Sequence, residues 1–273
     1  MFVSPMLLQK STEPIDEITH ITELKLDGIR TIWTKFDNRV RIYTRHNNEI
    51  TSKFPELANL SLPNGTVLDG EIIVTNELGK PDFEALMERF MSKSSEHAIS
   101  FSVFDILYFN GKRITSYPLL ERKETLATVV TEDSPLLNKV QWVEGNGTAY
   151  FELIKQHKLE GIVQKKSNSR YQINKRSDDW LKLISYQYDT VYIAGLRKDK
   201  FGLLLNFENG KYAGVLEFMT TKNRHEFYRH YKDFILEENE KYIYLDPKMR
   251  AKIKYRNLTK NGLLRIPSFV EWS

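Results

Sequence analysis

The chain has 273 residues, 41% hydrophobic and 28% charged, with a net charge of +4, which is enough apolar material and length for two folded domains and excludes a disordered chain. It has no cysteine, so disulfides, thiolate metal sites and a cysteine nucleophile are excluded, and a reducing cytoplasm fits. No basic segment followed by an apolar one opens the chain and no apolar run approaches membrane-spanning length, so an intracellular protein with no membrane partner is expected.

Taken in chain order, His20–Leu26 reads as a strand that stops abruptly at Asp27-Gly28. Arg30–Phe36 and Arg39–Thr44 alternate around an Asp37-Asn38 turn, a hairpin pattern. Thr66–Val74 is mostly apolar and predicts an interior strand. Asp82–Ser92 carries Phe83, Leu86, Met87 and Phe90 at helical spacing, behind Pro81. Ile99–Phe109 predicts a strand closing on Asn110-Gly111. Helices are expected over Pro118–Val130 and Thr148–His157, then strands over Gly161–Lys165 and Trp180–Ile184. Mixed sheets with short peripheral helices fit this order better than a regular doubly wound fold.

A boundary is expected near Ser185–Asp189. Beyond it the sequence predicts strands over Thr190–Arg197, Gly202–Phe207 and Tyr212–Phe218, a polar helix over Thr221–Ile235, and strands over Lys241–Leu245 and Met249–Tyr255. Short strands around one helix suggest a small Greek-key barrel of the type that binds nucleic acids. Charge supports the division. From Asp189 to Ser273 there are 16 Lys/Arg against 11 Asp/Glu, and in the rest 24 against 25, so the basic excess lies in the last third. In KMRAKIKYR, the cations Lys248, Arg250, Lys252, Lys254 and Arg256 alternate with Met249, Ala251, Ile253 and Tyr255. On a strand that spacing lines one face with charge while the other packs inward. With Lys222 and Arg229 of the polar helix, these residues are the expected DNA-binding set, reading phosphate rather than base sequence.

The most informative segment is ELKLDGIR, residues 23–30. It sets Lys25 in an apolar run just before a turn, where an amine can be aimed at a substrate. Four other segments end strands on charged or aromatic residues: DGE (69–71), FSVFD (101–105), EGIVQK (160–165) and KRSDDWLKL (175–183). Each alone is a common pattern; their order and spacing are not. Together they resemble the ATP-dependent DNA ligases, within the covalent nucleotidyltransferase superfamily that also holds RNA ligases and mRNA capping enzymes. ELKLDGIR is similar to the lysine-nucleophile motif, and Thr44–His46 to the short arginine motif after it. FDILYFNGK, residues 104–112, tilts the resemblance toward DNA ligases. The resemblance is good over residues 1–184 and weaker beyond.

It implies an α+β fold. A nucleotidyltransferase (ATP-grasp-like) domain of mixed sheets would occupy residues 1–187, and an OB-fold barrel residues 188–273. It implies ATP and Mg²⁺ as cofactors, nicked double-stranded DNA as partner, and a cytoplasmic location in a bacterial or phage-infected cell; a monomer is the default. The implied reaction begins with attack of the Lys25 amine on the α-phosphorus of ATP. That amine must be neutral, against an ordinary lysine pKa of about 10.4, and cations with partial desolvation push it down. By matching positions, Glu23 accepts from the adenine amino group and Phe104 stacks on the base. Arg45 and Glu71 contact the ribose, and Arg30 supplies positive charge at the nucleotide. Arg176 points to the nucleotide or to the nick 5′-phosphate. Glu160, with Glu71, holds the metal, and Lys165 and Lys182 contact the α-phosphate. Asp27 and Asp105 are expected to be structural.

Two departures keep rivals in view. Family members commonly carry a second lysine where Ile184 stands, and continue past a segment like LRIPSF into an Arg-x-Asp-Lys type motif not found here. An RNA ligase or capping guanylyltransferase is the enzymatic alternative, and a nick-binding protein with impaired catalysis is the other. Repair and replication are equally open.

Overall fold

The computed structural model describes residues 1–92 and 94–273. The chain divides into two compact units, Met1–Ile184 and Ser185–Ser273, three residues ahead of the 187/188 division expected from the sequence.

The first unit is built on two mixed sheets. In chain order its elements are β1 (Leu7–Lys10), β2 (His20–Leu24), β3 (Ile29–Phe36), β4 (Arg39–Thr44), α1 (Pro55–Ala58), β5 (Thr66–Ile73), α2 (Phe83–Met91), β6 (Ser100–Phe109), β7 (Lys112–Arg113), α3 (Leu119–Val129), β8 (Leu137–Lys139), β9 (Trp142–Glu144), α4 (Gly147–Gln156), β10 (Gly161–Lys166) and β11 (Arg176–Ile184). One sheet has the order β1-β11-β10-β2-β9; the other runs β4-β3-β5-β6-β7, with β8 added beside β6. The hairpins form where the turn chemistry asks for them. Asp37 and Asn38 both take positive φ, as do Asn110 and Gly111, the backbone that a tight two-residue hairpin requires. Asp82 caps α2 by accepting from the Ala85 N–H at 2.9 Å, satisfying an otherwise orphan donor.

One core cluster joins residues from both sheets, with Ile21, Ile32, Val67, Leu107 and Trp180 all buried. A larger cluster, including Trp33, Phe54, Leu68, Phe101 and Leu126, draws on β3, β5 and β6 together with α3. The helices are thus peripheral, as the sequence predicts.

The second unit holds β12 (Gln187–Arg197), β13 (Leu203–Asn206), β14 (Tyr212–Leu216), α5 (Thr221–His230), β15 (Ile235–Glu238), β16 (Tyr242–Leu245), β17 (Arg250–Tyr255) and β18 (Ser268–Trp272). The long β12 is its spine: Gln187–Tyr192 pairs with β17, Tyr192–Leu196 with β13 and Gly195–Arg197 with β16. The ladders do not close into a barrel: β14 and β18 are bordered by a single bridge, Phe218 to Ser268. The expected helix over Thr221–Ile235 ends at His230. A short 3-10 turn follows, and Ile235 instead begins β15. No helix among the described residues is long and apolar enough to cross a membrane.

Candidate active site

A cleft opens in the first unit where its two sheets meet. Its lining includes Leu8, Glu23, Val163, Lys165 and Trp180 from one sheet, and Arg30, Glu71 and Phe104 from the other. Lys25 and Leu26, on the connection between β2 and β3, complete one wall. β2 ends at Leu24, two residues short of the strand expected from the sequence, and the turn into β3 has a steric cause. A Cβ on Gly28 would lie 2.2 Å from the Ile72 carbonyl oxygen, so only glycine lets this connection press against β5.

Lys25 follows β2, its N–H donating to the Gly161 carbonyl at 2.9 Å. Its ammonium donates to Glu160 Oε2 at 2.7 Å, with the lysine side chain 18% and the glutamate 3% exposed. Thus the residue read as nucleophile is held at the cleft by the residue read as a metal ligand. Glu71 lines the same cleft. Its carboxyl is pushed up to about 8, by burial above all; Lys25 and Arg30 oppose the shift and Glu160 and Asp69 add to it.

The far side of the cleft is a buried ion-pair network beside two rings. Glu23 is gripped from two directions: Lys165 at 2.7 Å on one oxygen, and Lys123 from α3 in a short ion pair on the other. The Lys165 ammonium lies 4.4 Å from the Phe104 ring centroid and 4.2 Å from that of Trp180, favourable cation–ring contacts in a desolvated site. Burial pulls Lys165 down to about 8, against the pull of Glu23 and with the push of Lys123. Arg30 forks onto Asp69 through two hydrogen bonds, 3.0 and 2.7 Å, and Tyr171 donates to the same carboxylate at 2.6 Å. Burial works against the Arg30 charge, but Asp69 more than offsets it and holds its pKa above the ordinary arginine value.

Other expected residues stand apart from this lining. Arg45 is exposed beyond β4, next to His46. Arg176 is exposed at the start of β11 and donates to the Leu8 carbonyl. Lys182 sits on β11 opposite Val163 and two residues from Trp180, on the cleft-facing side of that strand. Of the cation stripe in the second unit, Arg250, Lys252 and Lys254 fall within β17, where they alternate with buried Ala251, Ile253 and Tyr255; Lys248 and Arg256 flank it. Lys222 and Arg229 lie on α5, both exposed.

Sequence reasoning missed Lys123. It stands with Leu119, Arg122 and Leu126 on the buried face of α3. Charges at inward helical spacing were the available signal, since a buried lysine needs a partner.

A family model described as ATP dependent DNA ligase domain matches residues 5–183, the span that contains the whole cleft. The chain belongs to the ATP-dependent DNA ligase family. Over its full length it is 51% identical to the SPbeta prophage-derived DNA ligase-like protein LigB of Bacillus subtilis strain 168, covering 100% of this chain and 99% of that one. Other relatives are longer, and the chain spans about half of their length or less. Among solved structures, one reported as a structure–function analysis of Lig E DNA ligases covers 100% of both chains at 18% identity and TM-score 0.72. The mycobacterial DNA ligase D complexed with ATP and MES covers 99% of this chain and 95% of that one, at 23% identity and TM-score 0.64. The fold is therefore that of DNA ligase catalytic regions. Ligases of this family use ATP, act on DNA and in general seal nicks.

Proposed function

We propose that this chain seals nicks in duplex DNA as a minimal, monomeric, cytoplasmic ligase whose nucleophile is Lys25. One observation carries the assignment: the Lys25 ammonium is held at the mouth of a cleft whose other end combines a carboxylate, a lysine and two aromatic rings. In the first step the Lys25 nitrogen bonds to the α-phosphorus of ATP and pyrophosphate leaves. AMP then passes to the 5′-phosphate of the nick. Attack by the 3′-hydroxyl forms the phosphodiester and releases AMP.

Glu71 and Glu160 fit a Mg²⁺ ion. Magnesium is commonly bound through one or two carboxylates plus substrate phosphates rather than a dedicated cage, and these two flank Lys25. Among the described residues no cluster of three or more metal-ligating side chains is found, in this cleft or elsewhere, so substrate phosphates would have to complete the coordination. When bound, the metal would neutralise phosphate charge. Glu160 holds the Lys25 amine until substrate arrives, and Arg30 adds positive charge while its fork onto Asp69 fixes its direction.

Lys165 takes a different role here from the one its motif position implies. It pairs with Glu23 beside Phe104, so together they offer one acceptor and one donor to the edge of a stacked adenine. Lys182 is then the lysine left for the α-phosphate. Arg45 and Arg176 are assigned to ribose and 5′-phosphate only if substrate draws them in. The second unit supplies phosphate contacts through its exposed cations.

Sealing should require a 5′-phosphate: a labelled nicked duplex is joined, and the same nick with a 5′-hydroxyl is not. Joining of RNA breaks alone would overturn the DNA assignment. Glu23→Ala should raise the KM for ATP in self-adenylation by about 10- to 100-fold, as expected for losing a hydrogen bond to a charged group. It should also narrow the preference for ATP over GTP; an unchanged ratio would remove Glu23 from the base edge. The pH dependence has a definite sign. Lys165 keeps its charge below about pH 8 and loses it above, so KM for ATP should rise on the alkaline side. In Lys165→Met that rise should be flattened.

A further inference from the structure

The outward face of β12 and β17 holds more than cations. On this antiparallel pair Tyr188 stands opposite Lys254, and Tyr192 opposite Arg250. Three cation–ring contacts follow one another along it: Lys254 lies 4.9 Å from the Tyr186 ring, Lys252 6.0 Å from Tyr188, and Arg250 5.6 Å from Tyr192. The opposite side of the ladder is apolar core, with Val191, Ile193, Ala251 and Ile253 fully buried. The tyrosines are thus not needed to close the core, and Tyr188 leaves 57% of its surface in water.

Phosphate binding alone would need only the cations. An exposed ring at Tyr188 and half-buried rings at Tyr186 and Tyr192, each beside a cation, add a second chemistry, because an unpaired base can cover a ring while its phosphate meets the neighbouring ammonium or guanidinium. A paired base within a duplex has no open face to give. We propose that this face binds single-stranded DNA, stacking unpaired bases on Tyr188 and Tyr192 while Arg250, Lys252 and Lys254 take the backbone. One acidic side chain tempers the charge: Glu271 of β18 lies 3.2 Å from Lys252. The ligand is an unpaired strand, which a nick in duplex DNA does not itself present, so the proposal goes beyond the nick-sealing reading. It is tested by binding rather than by chemistry, so a chain that forms no lysyl-AMP can still pass, and one that seals nicks can still fail.

The experiment uses the full chain and two fluorescent strands of about 12 nucleotides, within the usual site size for such folds: oligothymidylate, and an abasic strand with the same number of phosphates. Wild type should bind the base-bearing strand at least about 10-fold more tightly, and Tyr188→Ala should lose about 5- to 150-fold on that strand, the range for one stacked base. Tyr188→Ala should bind the abasic strand as wild type does, whereas Lys252→Ala should weaken both strands and lower the salt dependence. Tyr188→Phe, which keeps the ring, should retain binding and serves as the folding control. Equal affinity of wild type for the two strands would overturn the proposal. So would an equal loss on both strands in Tyr188→Ala.

Discussion

Lys25→Ala will take up no label when incubated with Mg²⁺ and α-labelled ATP, denatured and run on a gel, while wild type will carry one AMP. The effect is total because no neighbour can replace the bond-forming atom: Lys165 is committed to Glu23 between two rings, and Lys123 lies behind the same carboxylate. Intact mass should show the same loss, as the absence of the AMP adduct. GTP should label neither protein, whereas labelling by GTP would move the chain to the capping branch of the superfamily. Persistent ATP labelling of Lys25→Ala would place the nucleophile elsewhere. Failure of wild type to label at all would favour a nick-binding protein, the alternative raised by Ile184. The substitution removes one partner of a nearly buried Glu160, so a modest loss of thermal stability is expected beside the loss of chemistry. Sealing of a nick that already carries AMP on its 5′-phosphate should survive in part, because that step no longer needs the Lys25 nitrogen.

The sequence makes some parts of this molecule legible and hides others for physical reasons. Tight turns are local: Asp37-Asn38 and Asn110-Gly111 announce themselves because few residues tolerate positive φ. The same holds for Gly28, which marks where the chain must touch β5. Pairing between distant segments is not local. β1 joins β11 in parallel across more than 160 residues, and β8 and β9 have three residues each, too short for any periodicity. Ile235 continues the apolar pattern of α5, so the break into β15 left no mark in spacing. At the site, the motifs located the wall residues Glu23, Lys25, Arg30, Glu71, Phe104 and Lys165. They could not tell that Lys165 turns toward Glu23, because a strand residue's neighbours across the sheet are set by register. Nor could they reveal Lys123, whose partner is 100 residues away.

The second large effect is structural and begins in the same helix. Arg122→Met should destabilise the chain by about 3–5 kcal/mol, as expected for breaking a buried ion pair from one side. Arg122 and Asp105 are fully buried and joined by two hydrogen bonds of 2.8 Å. The guanidinium also donates to the carbonyls of Tyr117 and Ser169, at 2.6 and 2.9 Å. Removing it strands a carboxylate and two acceptors without water. For a protein of this size the loss corresponds to roughly 6–20 °C in melting temperature. Asp105→Leu combined with Arg122→Met should recover part of the loss, because an apolar pair leaves no charge to satisfy. The pair also bears on the site: β6 carries Phe104 next to Asp105, and α3 carries Lys123 next to Arg122. One ion pair therefore fixes both the ring and the lysine behind Glu23. At temperatures where Arg122→Met remains folded, its KM for ATP should rise more than its kcat falls, since base-end residues loosen while Lys25 and Glu160 stay in place. A single substitution costing less than about 1 kcal/mol would show that water reaches Asp105, and the link between α3 and the base end would then fail.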